Sequence, residues 1–548
     1  MAKGRKQNYM HGAAILTVGV IIMKVLGFIY KVPLGNILGD EGYSMFMGAY
    51  SIYNIFFTLA TAGLPVALSR LVAEADAHGR VRQEEKTFRV ALGTFAVLGV
   101  LFSLILFLFP EWLAANYLEN PDAAMSIRAM APAILLVCLV SAYRGYCQGN
   151  GNMIPTTVDE VLEVLFKVIS GLILAALLIR AGKGLPIGSA GAILGVSIGS
   201  VVSLGYMIVY KRRHYSALAA PFTAGVVAPD LREGETEKTD SAGTIVKDLL
   251  TIGVPIALGA CIMAILNSVD SKLCMNRLQT AAHYSYFEAK VLYGVYGKAQ
   301  TFFNLPAAFI TPLTISIVPA ISAAFAKGDR DEAAGISEDS MRVAAVIAMP
   351  MGVGLSVMSE PIMRGFYPGS HLAGPVLLAI MGAAAFFVCM LLMENAVLQA
   401  SGKEKYTMIT MIVGGLVKIL INWILVARRE INIYGAPIGT LVSYIVMCAM
   451  NFVFMTTTLE RTPRPGRILF KAVFCSAVMA MSAWAAYGLL LRLIHVPGRT
   501  GMLLCMFMAM ILAVAVYLIC VVATSAITRK DLELIPGGGR IAALLHMK

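Results

Sequence analysis

The sequence predicts an all-α polytopic membrane protein. The expected architecture has 14 transmembrane helices: two six-helix lobes related by a pseudo-twofold along the membrane normal, plus two extra C-terminal helices. Three observations predict it: the composition, the run lengths with their loop charge bias, and an internal repeat. Of 548 residues, 58% are hydrophobic and 14% charged, with a mean hydropathy of +0.76. Soluble domains run about 45–50% apolar and about 25% charged. A soluble enzyme, a nucleic-acid binder and a secreted disulfide scaffold are thereby excluded. The net charge of +12 reads as Lys and Arg in cytoplasmic loops. The nine cysteines sit almost entirely in apolar runs, without a CxxC pair or Cys/His metal spacing, as small buried hydrophobes do. The opening MAKGRKQ leads into an apolar run lacking a small-residue cleavage site, so that run reads as a retained first helix.

A spanning helix needs about 20 apolar residues. Runs bounded by charges or Gly/Pro clusters place spans near 12–38, 44–70, 88–109, 128–148, 155–179, 186–210, 248–276, 291–324, 342–366, 371–400, 406–427, 433–458, 468–491 and 501–525. With the N-terminus inside, cytoplasmic segments hold 27 Lys and Arg and outer segments hold 10, Lys290 among the latter. This bias orients a multi-pass bacterial plasma-membrane protein with both termini cytoplasmic. The expected organisation is an N-lobe at 1–210, a cytoplasmic linker at 211–247, a C-lobe at 248–458, spans 13 and 14 at 459–525, and a cytoplasmic tail at 526–548.

The two lobes repeat. GLPVALSRLVAEADAHGR in span 2 resembles SIVPAISAAFAKGDR in span 8, aligning Pro65 with Pro319. Gln148 and Lys167 recur as Gln399 and Lys418, and GAILG from Gly191 recurs as GAPIG from Gly435. Three matches in one order, with slowly drifting offsets, indicate duplication. Six spans per repeat give both halves the same orientation, with a substrate cavity expected between them.

Seven cations fall within spans: Lys24, Lys31, Arg144, Lys167, Lys272, Lys298 and Lys418. Intramembrane cations are costly and usually face a cavity; near a helix end they can instead snorkel. Lys24, Lys167 and Lys418 are mid-span. The acidic complement is Asp159, Glu160, Glu163, Asp270 and Glu394. Glu163 and Lys167 are i,i+4, so they form either a local ion-pair ladder with Glu160 or a polar stripe on a cavity. Asp270 is either a cation site or the partner of Lys272. The excess of bases favours an anionic substrate. Prolines at Pro33, Pro65, Pro255, Pro306, Pro312, Pro319, Pro350 and Pro437, at span ends and interiors, add bends that membrane helices tolerate.

Catalytic motifs are missing. There is no GxxxxGK[ST] loop and no HExxH, and GNGNMIP and PGGG read as turns. The chain is not expected to be an enzyme, and no cofactor is expected beyond possible coupling to Na⁺, to protons or to the membrane potential.

The run VGVIIMKVLGFIYKVPLGNILGDEGYSMFMGAYSIYNIFFTLATAGLPVALSRLVAE resembles the start of the stage V sporulation protein B and lipid II flippase branch of the multidrug/oligosaccharidyl-lipid/polysaccharide exporter superfamily. ILNSVDSKLCMNRL, LPAAFITPLTISIVPAIS, LQASGKEKY and TRKDLELIPGGGR match as well, so the resemblance spans essentially the whole chain. It implies transport of an undecaprenyl-pyrophosphate-linked sugar, foremost the peptidoglycan precursor lipid II, from the inner to the outer leaflet by alternating access. In the flippases the cavity cations are arginines on early spans and on span 8. Here Lys24 and Lys31 lie on span 1 and Lys298 on span 8; only Lys24, within KVLGF, matches the family pattern directly. The resemblance also implies a polyprenyl-tail groove on spans 13 and 14, with membrane lipids and cell-wall synthesis machinery as partners, in growth or sporulation. The alternatives are a flippase for another lipid-linked polysaccharide unit and a cation-coupled multidrug antiporter of the same fold.

Overall fold

In lipid, a backbone must satisfy its own hydrogen bonds, and long apolar runs do so as helices. In the computed structural model, which describes residues 9–215, 239–459, 464–494 and 498–526, every regular element among the described residues is helical. The longer helices are α1 (Tyr9–Ala62), α2 (Leu64–Ala77), α3 (Val81–Leu108), α4 (Ala124–Gly149), α5 (Ile154–Arg180), α6 (Leu185–Tyr215), α7 (Ala242–Thr280) and α8 (Tyr286–Phe303). They continue with α9 (Leu305–Ala326), α10 (Arg330–Val357), α11 (Ser359–Phe366), α12 (Gly374–Ala400), α13 (Glu404–Leu425), α14 (Gly435–Thr458), α15 (Pro465–Leu493) and α16 (Arg499–Ala523).

Thirteen stretches of the described residues are long and apolar enough to cross a membrane. The first, Val18–Ala77, has 60 residues, about 90 Å of helix at 1.5 Å per residue. A bilayer core is about 30 Å thick, so this stretch holds two crossings. It is broken at Gly39, whose φ of 67° and ψ of −169° suit a residue without Cβ. Counting its two arms separately gives the fourteen expected spans.

Two boundaries differ from the sequence reading. The eighth span starts at Tyr286 rather than near 291 and is interrupted at Asn304, so Lys290 is a helical residue, not a loop residue. Its side chain is 3% exposed, with Nζ 4.6 Å from the Tyr286 ring centroid. A single lysine was read as a loop marker, but its aliphatic stem packs inside while an aromatic face receives the ammonium. The ninth span is interrupted at Met358, giving α10 and α11. Most of the linker and nearly all of the C-terminal tail lie outside the described residues.

The chain forms two compact units, 1–272 and 273–548, divided within α7. In the first, α5 packs most extensively on α6, α4 bridges α3 and α6, and α1 lies on α5. In the second, α12 packs between α10 and α14, α13 joins α14, α15 pairs with α16, and α15 rests on α10. Tyr517 on α16 donates to the Val346 carbonyl at 2.5 Å.

The repeat is visible in turn geometry within each unit. Gly151 after α4 and Gly402 after α12 both have φ of 71°. Gly79 and Gly328, at φ 67° and 77°, end the matched segments AHG and AKG. A Cβ on Gly195 would meet the Lys167 carbonyl at 2.9 Å, and one on Gly439 would meet the Lys418 carbonyl at 3.4 Å. These glycines bring paired helices into backbone contact, as small residues do in membranes. The proline match differs: Pro65 stands in the first turn of α2, whereas Pro319 is inside α9.

Candidate functional site

The polar part of the first unit is built on α5. Its residues 159, 160, 163 and 167 lie on neighbouring rows of one helix. Arg144, in the last turns of α4, faces that stripe. Its Nε donates to Asp159 Oδ2 at 2.5 Å and its Nη2 to Glu163 Oε2 at 2.7 Å. Glu160 is more distant, 3.9 Å from Nη1. The Arg144 and Asp159 side chains are 9% and 0% exposed and Glu163 is 13% exposed. From α6, Ser200 donates to Glu163 at 3.2 Å and Ser203 donates to Asp159. Tyr53 on α1, itself buried, lies within electrostatic reach of Glu163 and Arg144. Three carboxylates thus surround one guanidinium, the planar donor best suited to holding two of them at once.

Glu163 therefore pairs with Arg144 across helices. The Glu163–Lys167 ladder, one of two sequence expectations, does not form. One turn beyond, Lys167 interacts electrostatically with Lys31, and Lys31 with Lys24. Lys24 and Lys31 are seven residues apart on α1, two turns along one face, about 10 Å. None of the three makes an ion pair among the described residues. The first unit thus carries an acid-rich cluster around Arg144 and a lysine trio beside it.

Lys272 reaches toward the Tyr117 ring, 5.9 Å from its centroid. It forms no ion pair among the described residues, so the expected alternative of an Asp270–Lys272 pair is not made. Residues i and i+2 point to different sides of a helix. Asp270 is 5% exposed.

In the second unit, Lys298 on α8 is 2% exposed, with Nζ 5.0 Å from the Tyr367 ring centroid. Lys418 on α13 is partly exposed. The repeat places Asn395 where the first unit has Arg144, and Asn451 donates to Asn395 at 2.8 Å. Beside it, Glu394 is 3% exposed, and its Oε2 has no hydrogen-bond partner among the described residues. Its neighbour is the Cys448 thiol. A charge cluster in one unit thus corresponds to an amide pair and a lone acid in the other. No group of three His, Cys, Asp or Glu suited to a metal ion occurs among the described residues.

The sequence profile described as "Polysaccharide biosynthesis protein" matches residues 9–325, more than half of the chain, and that of MatE matches residues 255–424. The chain belongs to the polysaccharide biosynthesis protein family. Its relatives include Lipid II flippase MurJ of Bacillus subtilis (strain 168), 23% identical over 81% of this chain and 82% of that protein. Stage V sporulation protein B of the same organism is 26% identical over 81% and 83%. Among solved structures, "Lipid II flippase MurJ, inward closed conformation" aligns with a TM-score of 0.68 at 14% identity, covering 92% of this chain and 98% of that one. An inward-facing multidrug resistance MATE family transporter aligns with a TM-score of 0.64 at 15% identity, covering 80% and 97%. The fold is that of the multidrug/oligosaccharidyl-lipid/polysaccharide exporter superfamily, and this family member is a multi-pass membrane transporter.

Within this family frame, the structure brings Lys24, Lys31 and Lys167 together and ties Arg144, Glu160 and Glu163 into one cluster. Sequence reasoning missed Ser200, Ser203 and Tyr53. The i,i+3 pair of hydroxyls in a glycine-rich apolar helix was the available signal for the serines. Tyr53 belongs to a run of rings, Tyr43, Phe46, Tyr50, Tyr53 and Phe57, with successive centroids 5.4–5.8 Å apart; in sequence it is indistinguishable from core.

Proposed function

We propose that this transporter is a flippase for an undecaprenyl-pyrophosphate-linked sugar, most simply the peptidoglycan precursor lipid II, moved from the inner to the outer leaflet by alternating access. The observation that carries the reading is the set formed by Lys24, Lys31 and Lys167: Lys31 lies within electrostatic reach of the other two, with no acid paired to any of them among the described residues. Like charges so placed repel, and an anion between them relieves the repulsion. A pyrophosphate is such an anion. Arg144 holds the carboxylates of Asp159 and Glu163 away from the substrate. Lys272 completes the basic set.

Driving force then needs no nucleotide. Moving about two negative charges outward against 100 mV, inside negative, releases roughly 2 × 2.3 kcal/mol. Glu160, only loosely held by Arg144, Glu394 with its bare oxygen, and Asp270 are the candidate sites for a coupled proton or Na⁺. The polyprenyl chain remains in the bilayer along α15 and α16, whose Phe470, Trp484 and Ile511 are 75%, 72% and 71% exposed.

The test is complementation of a flippase-depleted strain at matched expression. Lys31→Ala and Lys167→Ala are expected to lose function, and Arg89→Ala, whose side chain is 72% exposed, to retain it. Equal survival of all three variants would assign the lysines to structural roles and defeat the reading.

A further inference from the structure

A second cationic feature lies in the second unit, built on arginines that the proposed function does not use. A cavity of about 570 Å³ opens between the end of α11, the turn before α12 and the start of α16. Arg364, Arg499 and His371 line it, with Tyr367, Leu372 and Met502. Arg499 lines the cavity and is fixed in place: its Nε donates to the Gly365 carbonyl at 2.9 Å and its Nη2 to the Phe366 carbonyl at 3.4 Å. Arg364 is 56% exposed and pairs with Glu360 of its own helix at 3.0 Å. Such an exposed pair is weak and readily exchanged for another anion. The first turns of α12 and α16 border the same space, and neither has a side-chain cap, which adds positive potential. Two guanidiniums against one carboxylate make the cavity net cationic.

The apolar surroundings narrow the ligand class. Leu372 at the rim is 80% exposed, and Leu504 and Phe507 continue down α16, each 48% exposed. All three segments end where apolar spanning helices end, the depth at which lipid headgroups lie. A ligand that fits has a phosphate at the mouth and acyl chains along the helix.

We infer that this cavity is a binding site for the phosphate headgroup of an anionic glycerophospholipid, held by Arg364 and Arg499, with its acyl chains on α16. The site is separate from the lysine trio and needs only that the protein be membrane-embedded. Phosphate recognition by guanidinium is the strongest pairing the lining offers, and lipid is the phosphate source always present at that depth. Glu360 competes with the phosphate for Arg364.

The full-length protein in nanodiscs of equal parts phosphatidylglycerol and phosphatidylcholine tests this, with retained lipid counted by mass spectrometry after detergent washing. Phosphatidylglycerol should be retained in preference to phosphatidylcholine. Arg364→Gln should reduce its retention about tenfold, the order of one charge-assisted hydrogen bond. Glu360→Gln should raise retention, a gain that a merely damaged fold cannot produce. Equal retention of both lipids by the unmodified protein, or unchanged retention in both variants, would overturn the inference. Displacement of the lipid by inorganic phosphate at matched ionic strength would assign the cavity to a soluble anion and overturn it equally.

Discussion

Replacing Arg144 by Met isolates the charge cluster of the first unit. The guanidinium makes two short ion pairs, at 2.5 Å to Asp159 and 2.7 Å to Glu163, among side chains no more than 13% exposed. Solvent screening is therefore slight. Met fills a similar length but leaves Asp159 with Ser203 and Glu163 with Ser200 as remaining partners. Removing one partner of a buried pair costs about 3–5 kcal/mol. In a cooperative unit of this size each kcal/mol lowers Tm by about 2–4 °C, so the fall should be on the order of 10 °C. The assay is thermal unfolding of the purified protein in detergent. The triple variant Arg144→Met/Asp159→Asn/Glu163→Gln removes the charges together and should recover most of the loss, since buried ion groups are often replaceable as a set. Arg144→Lys should fall between, because an ammonium is a point charge and not a fork. A single Met variant as stable as the parent, or a triple variant no better than the single, would refute the argument.

Other consequences follow from particular residues. Gly195→Val should separate α5 from α6, because even a Cβ there would lie 2.5 Å from the Gly171 Cα; overpacking of this kind costs about 1–3 kcal/mol, read as lowered Tm, whereas Gly27→Ala, with open space at its Cβ, should leave Tm unchanged. Asp270→Asn should not be rescued by Lys272→Met, since the two side chains are not paired; recovery of transport in the double variant would restore the pairing rejected above. In a cysteine-depleted background, a cysteine at position 238 should be shielded from a membrane-impermeant reagent added outside intact cells, and labelling there would reverse the proposed orientation.

Fold class was legible because it depends on quantities summed over many residues. Twenty-residue apolar runs and loop charge bias survive errors at any one position, and the duplication was readable from short matches that the paired left-handed turns at Gly151 and Gly402 bear out. Break points inside long helices were harder: Gly39 lies at a span boundary the sequence marks, whereas the interruptions at Asn304 and Met358 are marked only by a proline shortly after each, Pro306 and Pro361, inside an otherwise continuous apolar run. Lys290 shows the same limit at a single residue, since a charge near a run's end reads as loop whether it is solvated or buried against Tyr286. Pairing was least legible. The Glu163–Lys167 spacing suggested a bond within one helix, while the stronger partner, Arg144, is 19 residues away on another and is chosen by packing. Ser200 and Ser203 depend on the same α5–α6 contact, so their role became visible only with the helices in place.

Directional movement of a lipid-linked pyrophosphate sugar is measured directly by leaflet-resolved translocation. Cells depleted of their own flippase and supplied with this protein are labelled, and lipid II accessible to an externally added modifying enzyme is quantified. Exposure of lipid II outside should be restored by the parent chain and by Arg89→Ala but not by Lys31→Ala or Lys167→Ala. Unrestored exposure with the parent chain correctly inserted and abundant would contradict lipid II as the cargo, and restoration by both lysine variants would contradict the mechanism.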